Sequence, residues 1–230
     1  MKTIGLIGGM SWESSAEYYR MINRHSKALH GGHHNAKSVL VTVDFAEIEA
    51  LQRTHDWPAL GERMAGAARQ LEAAGAELVV LTTNTMHRVY DAIEAAVALP
   101  CLHIADPTGT ALRDAGIARV ALLGTRYTME LPFYAERLRD RFGLDVLVPD
   151  DSQRGDVHRI IYDELCHGIV EPASRATYVR IIESLAQLGA QAVILGCTEI
   201  TLLIGAADSP LPAFDTTALH AKAAVEWAAG

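Results

Sequence analysis

Two short stretches of this chain hold side chains able to move a proton. TTNTMH, residues 82–87, follows the apolar run Leu78–Leu81, and GCTEI, residues 196–200, follows Val193-Ile194-Leu195. Thr83 and Cys197 stand at matching places in these frames, 114 positions apart. Their chemistry is unequal. A thiol has an ordinary pKa of about 8.5, and a helix N-terminus lowers it enough to leave thiolate at neutral pH, so Cys197 is expected to act as a base. A threonine hydroxyl ionises far above that range, so Thr83 is expected only to donate to a developing carbanion or pass a proton along a relay. Glu199 either caps a helix or joins the proton network of Cys197. Thr-Asn-Thr and Cys-Thr-Glu would together offer hydroxyl, amide and backbone donors to a small acid.

The elements that must position these residues alternate short β-branched runs with amphipathic helices. Strands are expected at Thr3–Ile7, Ser38–Val43, Leu78–Leu81, Leu102–Ile104, Val120–Leu123, Val146–Val148, Ala192–Leu195 and Ala213–Phe214. Several are too continuously apolar to have a wet face, which points to parallel sheet covered on both sides. Helices are expected at Trp57–Ala73 and Arg175–Gln187, stopped by Gly75 and Gly189. This alternation predicts a doubly wound α/β fold, which binds ligands at the carboxyl ends of its strands.

The halves repeat. Ile4-Gly5-Leu6-Ile7-Gly8 answers Val120-Ala121-Leu122-Leu123-Gly124, Gly75-Ala76 answers Gly189-Ala190, and Leu99-Pro100 answers Leu211-Pro212. Landmarks in one order predict two pseudosymmetric Rossmann-like parallel-sheet domains with the active site in the cleft they share. The expected division is 1–99 plus 210–230 for the first and 100–209 for the second.

Composition narrows the function classes. The chain of 230 residues is 50% hydrophobic with a formal net charge of −8 and no basic stripe, which argues against a nucleic-acid partner. No apolar stretch approaches the roughly 20 residues of a membrane span, and no leader pattern opens the sequence, so the expected compartment is the cytoplasm. Cys101, Cys166 and Cys197 make no CxxC pair or disulfide framework, which fits a reducing environment. Cys101 and Cys166 read as structural thiols, and His87 and His103 as local hydrogen-bonding partners. None of Lys2, Lys27, Lys37 and Lys222 stands just past a strand end, so no pyridoxal phosphate is expected. HGGHH at 30–34 lacks cysteine or carboxylate at ligand spacing and reads as a loop, not a metal site.

GLIGGMSWES at the N-terminus, TNTMH at 83–87, ALLGTRYTM at 121–129 and GCTEI at 196–200 together resemble the aspartate/glutamate racemase family, over essentially the whole chain. The resemblance is strongest to the branch of L-aspartate/glutamate-specific or broad-specificity racemases that carry threonine at the first catalytic position. It implies a cofactor-independent racemase of acidic amino acids, commonly a homodimer. Cys197 matches the second catalytic cysteine, which would act on the L-face. Thr83 stands where the usual member has the first cysteine and would face the D-side. The family's substrate contacts fall on Met10, Gln52, Asn84, Thr85, Thr125 and Thr198. Some members place a lysine where Cys166-His167 stands here. Two alternatives remain: a single-cysteine relative that decarboxylates a malonate, and a catalytically weak amino-acid-binding protein.

Overall fold

A computed structural model describes residues 1–230. It divides into two units, Met1–Ile104 with His220–Gly230, and Ala105–Leu219.

Unit 1 holds strands β1 (Ile4–Gly8), β2 (Ser38–Thr42), β3 (Leu78–Leu81) and β4 (Cys101–Leu102), all parallel in the order β2-β1-β3-β4. Period-two alternation of side chains sorts the apolar runs into two layers. Ile7, Val79 and Leu81 pack with Leu60, Met64 and Leu71 of helix Trp57–Ala73. Ile4, Leu6, Leu78 and Val80 pack on the other face with Tyr18 and Ile22 of helix Trp12–His30 and with Ala221, Ala224 and Val225 of helix Thr216–Ala229. Continuous hydrophobicity was the right signal for these strands, because helices cover both faces.

Unit 2 repeats the plan with β5 (Arg119–Gly124), β6 (Asp145–Leu147), β7 (Ala192–Gly196) and β8 (Ala213–Asp215), in the order β6-β5-β7-β8. Ala121, Leu123, Val193 and Leu195 meet Val157, Ile160, Tyr178 and Ile182, while Val120, Leu122, Ala192 and Ile194 of the opposite parity are fully buried. Each sheet thus runs second–first–third–fourth in its own chain order, the duplication expected from the landmarks.

Most expected elements lie within a residue or two of their observed bounds. Helix Trp57–Ala73 matches the expectation, with Asp56 accepting from Ala59 N–H as its cap. Helix Pro172–Gln187 starts three residues earlier than expected, where Pro172 sits in the first turn and needs no N–H partner. Gly75 and Gly189 follow the two helix ends with φ of +83° and +94°, a region other residues enter only with strain.

Two expectations are corrected. The fourth strand is Cys101–Leu102 rather than Leu102–Ile104, because its ladder pairs only Val79 with Cys101 and Val80 with Leu102. The Ile104 N–H is given to the His87 ring instead. The expected breaks at 99/100 and 209/210 fall at 104/105 and 219/220, because β4 hydrogen-bonds to β3 of unit 1 and β8 to β7 of unit 2.

Candidate active site

Register gives Thr83 and Cys197 a common origin. In unit 1, Ile7 pairs with Leu81, and Thr82 N–H donates to the Ile7 carbonyl at 3.0 Å, so Thr82 lies beside the end of β1 and Thr83 is the first residue beyond. In unit 2, Gly124 pairs with Gly196, and Cys197 is the first residue beyond. Each is half-buried, past a fully buried strand.

A serine network holds the Thr83 side of unit 1. Ser15 Oγ accepts from Gly9 N–H at 2.8 Å, donates to the Ser11 carbonyl at 3.0 Å and lies 3.3 Å from Thr82 Oγ1. Ser14 Oγ donates to the Thr82 carbonyl at 2.8 Å, and Thr82 Oγ1 donates to the Ile7 carbonyl at 3.0 Å. These bonds lock the Gly8-Gly9-Met10 turn to the exit of β3. Gly9 has φ of +95°, and a Cβ there would meet the Val43 carbonyl at 2.2 Å, so only glycine fits. Among the substrate-contact candidates, Met10, Asn84 and Thr85 are buried at this end of the sheet. Gln52 is also buried, on helix Phe45–Arg53, where its Nε2 lies 3.3 Å from Met86 Sδ.

In unit 2, Thr125 caps the short helix Arg126–Glu130, accepting from Thr128 N–H at 3.3 Å. It follows Gly124 directly, so register brings it next to Cys197. Thr198 Oγ1 accepts from Thr217 Oγ1 at 3.2 Å, which ties the β7 exit to the last helix. Arg126, at the start of the short helix that Thr125 caps, is engaged by Glu130 at 2.7 Å and by Asp151.

The thiol itself departs from expectation. Cys197 Sγ donates to Glu199 Oε2 at 2.9 Å, and its pKa is pushed well above that of a free thiol. Burial is the largest cause, followed by the Glu199 charge and the nearby Cys166, while a backbone hydrogen bond at Glu199 acts the other way and loses. The expected helix N-terminus is a four-residue helix, Ile200–Leu203, and the frame after Thr83 is a five-residue 3-10 turn, Thr85–Val89. One turn supplies too few aligned peptides to offset desolvation. Glu199 stands at the cap position of Ile200–Leu203 without capping it; its carboxylate serves the thiol.

Sequence reading missed Ser14, Ser15 and Tyr178. The serines had a signal, a hydroxyl pair one turn past the Gly-Gly end of β1. Tyr178 is fully buried and coupled electrostatically to Cys197, Glu164 and Cys166, with burial the main cause of its raised pKa. Nothing in its sequence surroundings marks it.

Residues 7–224 match the family model of Asp/Glu/hydantoin racemases. The chain belongs to this family. A broad specificity amino-acid racemase of Bacillus subtilis, RacX, is 23% identical over 96% of both chains. A crystal structure of a candidate Asp/Glu racemase from Yersinia pestis is 54% identical, covers both chains fully and superposes with a TM-score of 0.94. An aspartate racemase homologue from Pyrococcus horikoshii is 33% identical over the full length of both chains, with a TM-score of 0.87.

Proposed function

We propose that this racemase inverts an acidic amino acid, aspartate or glutamate, without a cofactor. Cys197 works on the L-face and Thr83 on the D-face. In the L-to-D direction the Cys197 thiol first yields its proton towards Glu199, and the thiolate then takes the α-proton. The carbanion receives a proton on its other face from the Thr83 hydroxyl, which is replenished by relay from solvent while Glu199 returns its proton to solvent. Met10, Gln52, Asn84, Thr85, Thr125 and Thr198 are assigned to the substrate's carboxylates and ammonium. The observation that carries this reading is the Cys197–Glu199 hydrogen bond of 2.9 Å at the position that register makes equivalent to Thr83. A thiol with a carboxylate acceptor already in place has an exit for its proton.

The test is deuterium wash-in at Cα of L-aspartate or L-glutamate in D2O, read by mass spectrometry alongside chiral chromatography. Exchange and inversion that vanish in Cys197→Ala support the reading. Tight binding without exchange in the wild-type protein would instead make it an amino-acid-binding protein. One observation favours a second reading: a raised thiol pKa suits a proton donor, as in protonation of the planar intermediate left by malonate decarboxylation. Release of carbon dioxide from a disubstituted malonate, without amino-acid exchange, would select it. The proposed assembly is a homodimer in the cytoplasm, checked by light scattering on the purified protein and by fractionation of cells.

A further inference from the structure

Next to the Thr83 motif, unit 1 contains a buried histidine cluster that the proton-transfer scheme does not use. His87, His103 and His220 are each no more than 3% exposed. Their rings meet at 4.5 Å for His87 and His103 and 5.8 Å for His87 and His220, and Tyr90 stacks on His87 at 5.9 Å and 12°. Tyr90 is itself tied down by donating to the Cys101 carbonyl at 2.6 Å, and His220 bridges the Tyr18 hydroxyl and the Leu102 carbonyl.

The His87 bonds fix its tautomer. Ile104 N–H donates to His87 Nε2 at 3.1 Å, and an amide can only donate, so Nε2 carries no proton. Nδ1 therefore carries it and donates to the Thr83 carbonyl at 2.8 Å, an atom that can only accept. The preceding residue is held as well, by Ser14 on the Thr82 carbonyl and by the Thr82 bonds to β1. The Asn84 carbonyl accepts from His87 N–H at 3.1 Å. With the backbone pinned on both sides, the Thr83 hydroxyl has one stiff torsion left to aim it.

We propose that His87 is a positioning residue for Thr83: its Nδ1–H, braced by Ile104, holds the Thr83 carbonyl so that the hydroxyl points at the D-face of the substrate. This rests on the racemase reading and on Thr83 being the D-face group. Loosening it would harm only the half-reaction that Thr83 serves. The intermediate formed by Cys197 would still collapse back on its own side, so deuterium would still enter the L-substrate while inversion falls. A misplacement of about 1 Å at a reacting group costs on the order of 10²-fold, and loss of one supporting hydrogen bond about tenfold.

Two substitutions separate positioning from simple damage. Asn places its amide nitrogen near the site of Nδ1, and Gln places its amide near that of Nε2. The measurement is the ratio of Cα wash-in to inversion from L-aspartate and L-glutamate, which does not depend on how much enzyme is folded. His87→Gln should raise the ratio about tenfold, and His87→Asn should return it to within about twofold of wild type. An unchanged ratio in His87→Gln, or an equal rise in both variants, overturns the proposal. Wild-type enzyme that neither exchanges nor inverts overturns the racemase reading instead.

Discussion

Ser15→Ala removes one oxygen atom from the turn beneath Thr83. The residue is 3% exposed, and its hydroxyl is the acceptor for Gly9 N–H at 2.8 Å. Gly9 cannot turn elsewhere, since its left-handed φ and the Val43 carbonyl beside it fix the peptide. A buried N–H left without its acceptor costs about 1–3 kcal/mol. Thr82 Oγ1 retains its bond to Ile7, so nothing further is added there. At about 2–4 °C per kcal/mol for a chain of this size, the melting temperature should fall by roughly 2–12 °C. Ser14→Ala is the control: its hydroxyl donates to the Thr82 carbonyl, and an under-satisfied carbonyl is cheaper than a stranded N–H, so its loss should be smaller. Differential scanning calorimetry of both variants decides the matter. A shift below about 1 °C for Ser15→Ala, or a larger loss in Ser14→Ala, would refute the view that this network anchors the turn.

Three further outcomes are expected. Burial keeps the Cys197 thiol neutral beyond its ordinary range, so the rate from the L-substrate should climb with pH past about 8.5, and Glu199→Gln should move that limb to lower pH by removing the carboxylate charge while lowering the rate it reaches, since the thiol loses its proton acceptor; a flat pH–rate profile would contradict this. Cys101, pushed up to about 11 by burial and by Glu94, should be alkylated by iodoacetamide at pH 8 roughly two-hundredfold more slowly than a free thiol, as followed by mass spectrometry. Gly124→Ala would drive a Cβ to 2.9 Å from the Gly196 carbonyl and spread β5 from β7 at Cys197, costing about 1–3 kcal/mol in urea denaturation and most of the exchange activity.

The sheets were legible because helices cover both faces, so apolar runs alone marked β1, β3, β5 and β7. The edges were less so: β4 has two paired residues, and the Ile104 N–H that would extend it is taken by an imidazole 17 positions away. The candidate pair was legible from repetition, since register sets Thr83 and Cys197 at the same step. The state of the thiol was not. A strand-to-helix turn suggested a lowered pKa, whereas the sign is set by how deeply Sγ is packed and by a carboxylate two residues on, and local sequence reports neither. Ser14 and Ser15 were hidden for a related reason, as their partner Thr82 lies 67 to 68 positions away.

The closing segment of unit 1 limits where the chain can be shortened. Ala221, Ala224, Val225 and Ala228 cover the face formed by Ile4, Leu6, Leu78 and Val80, and Lys2 N–H reaches the Ala228 carbonyl at 2.8 Å. That face of the first sheet is therefore closed only by residues that lie beyond the whole of 105–219 in the sequence. Deleting residues 220–230 would strip the cover from Ile4, Leu6, Leu78 and Val80 and leave an apolar sheet face open to aggregation.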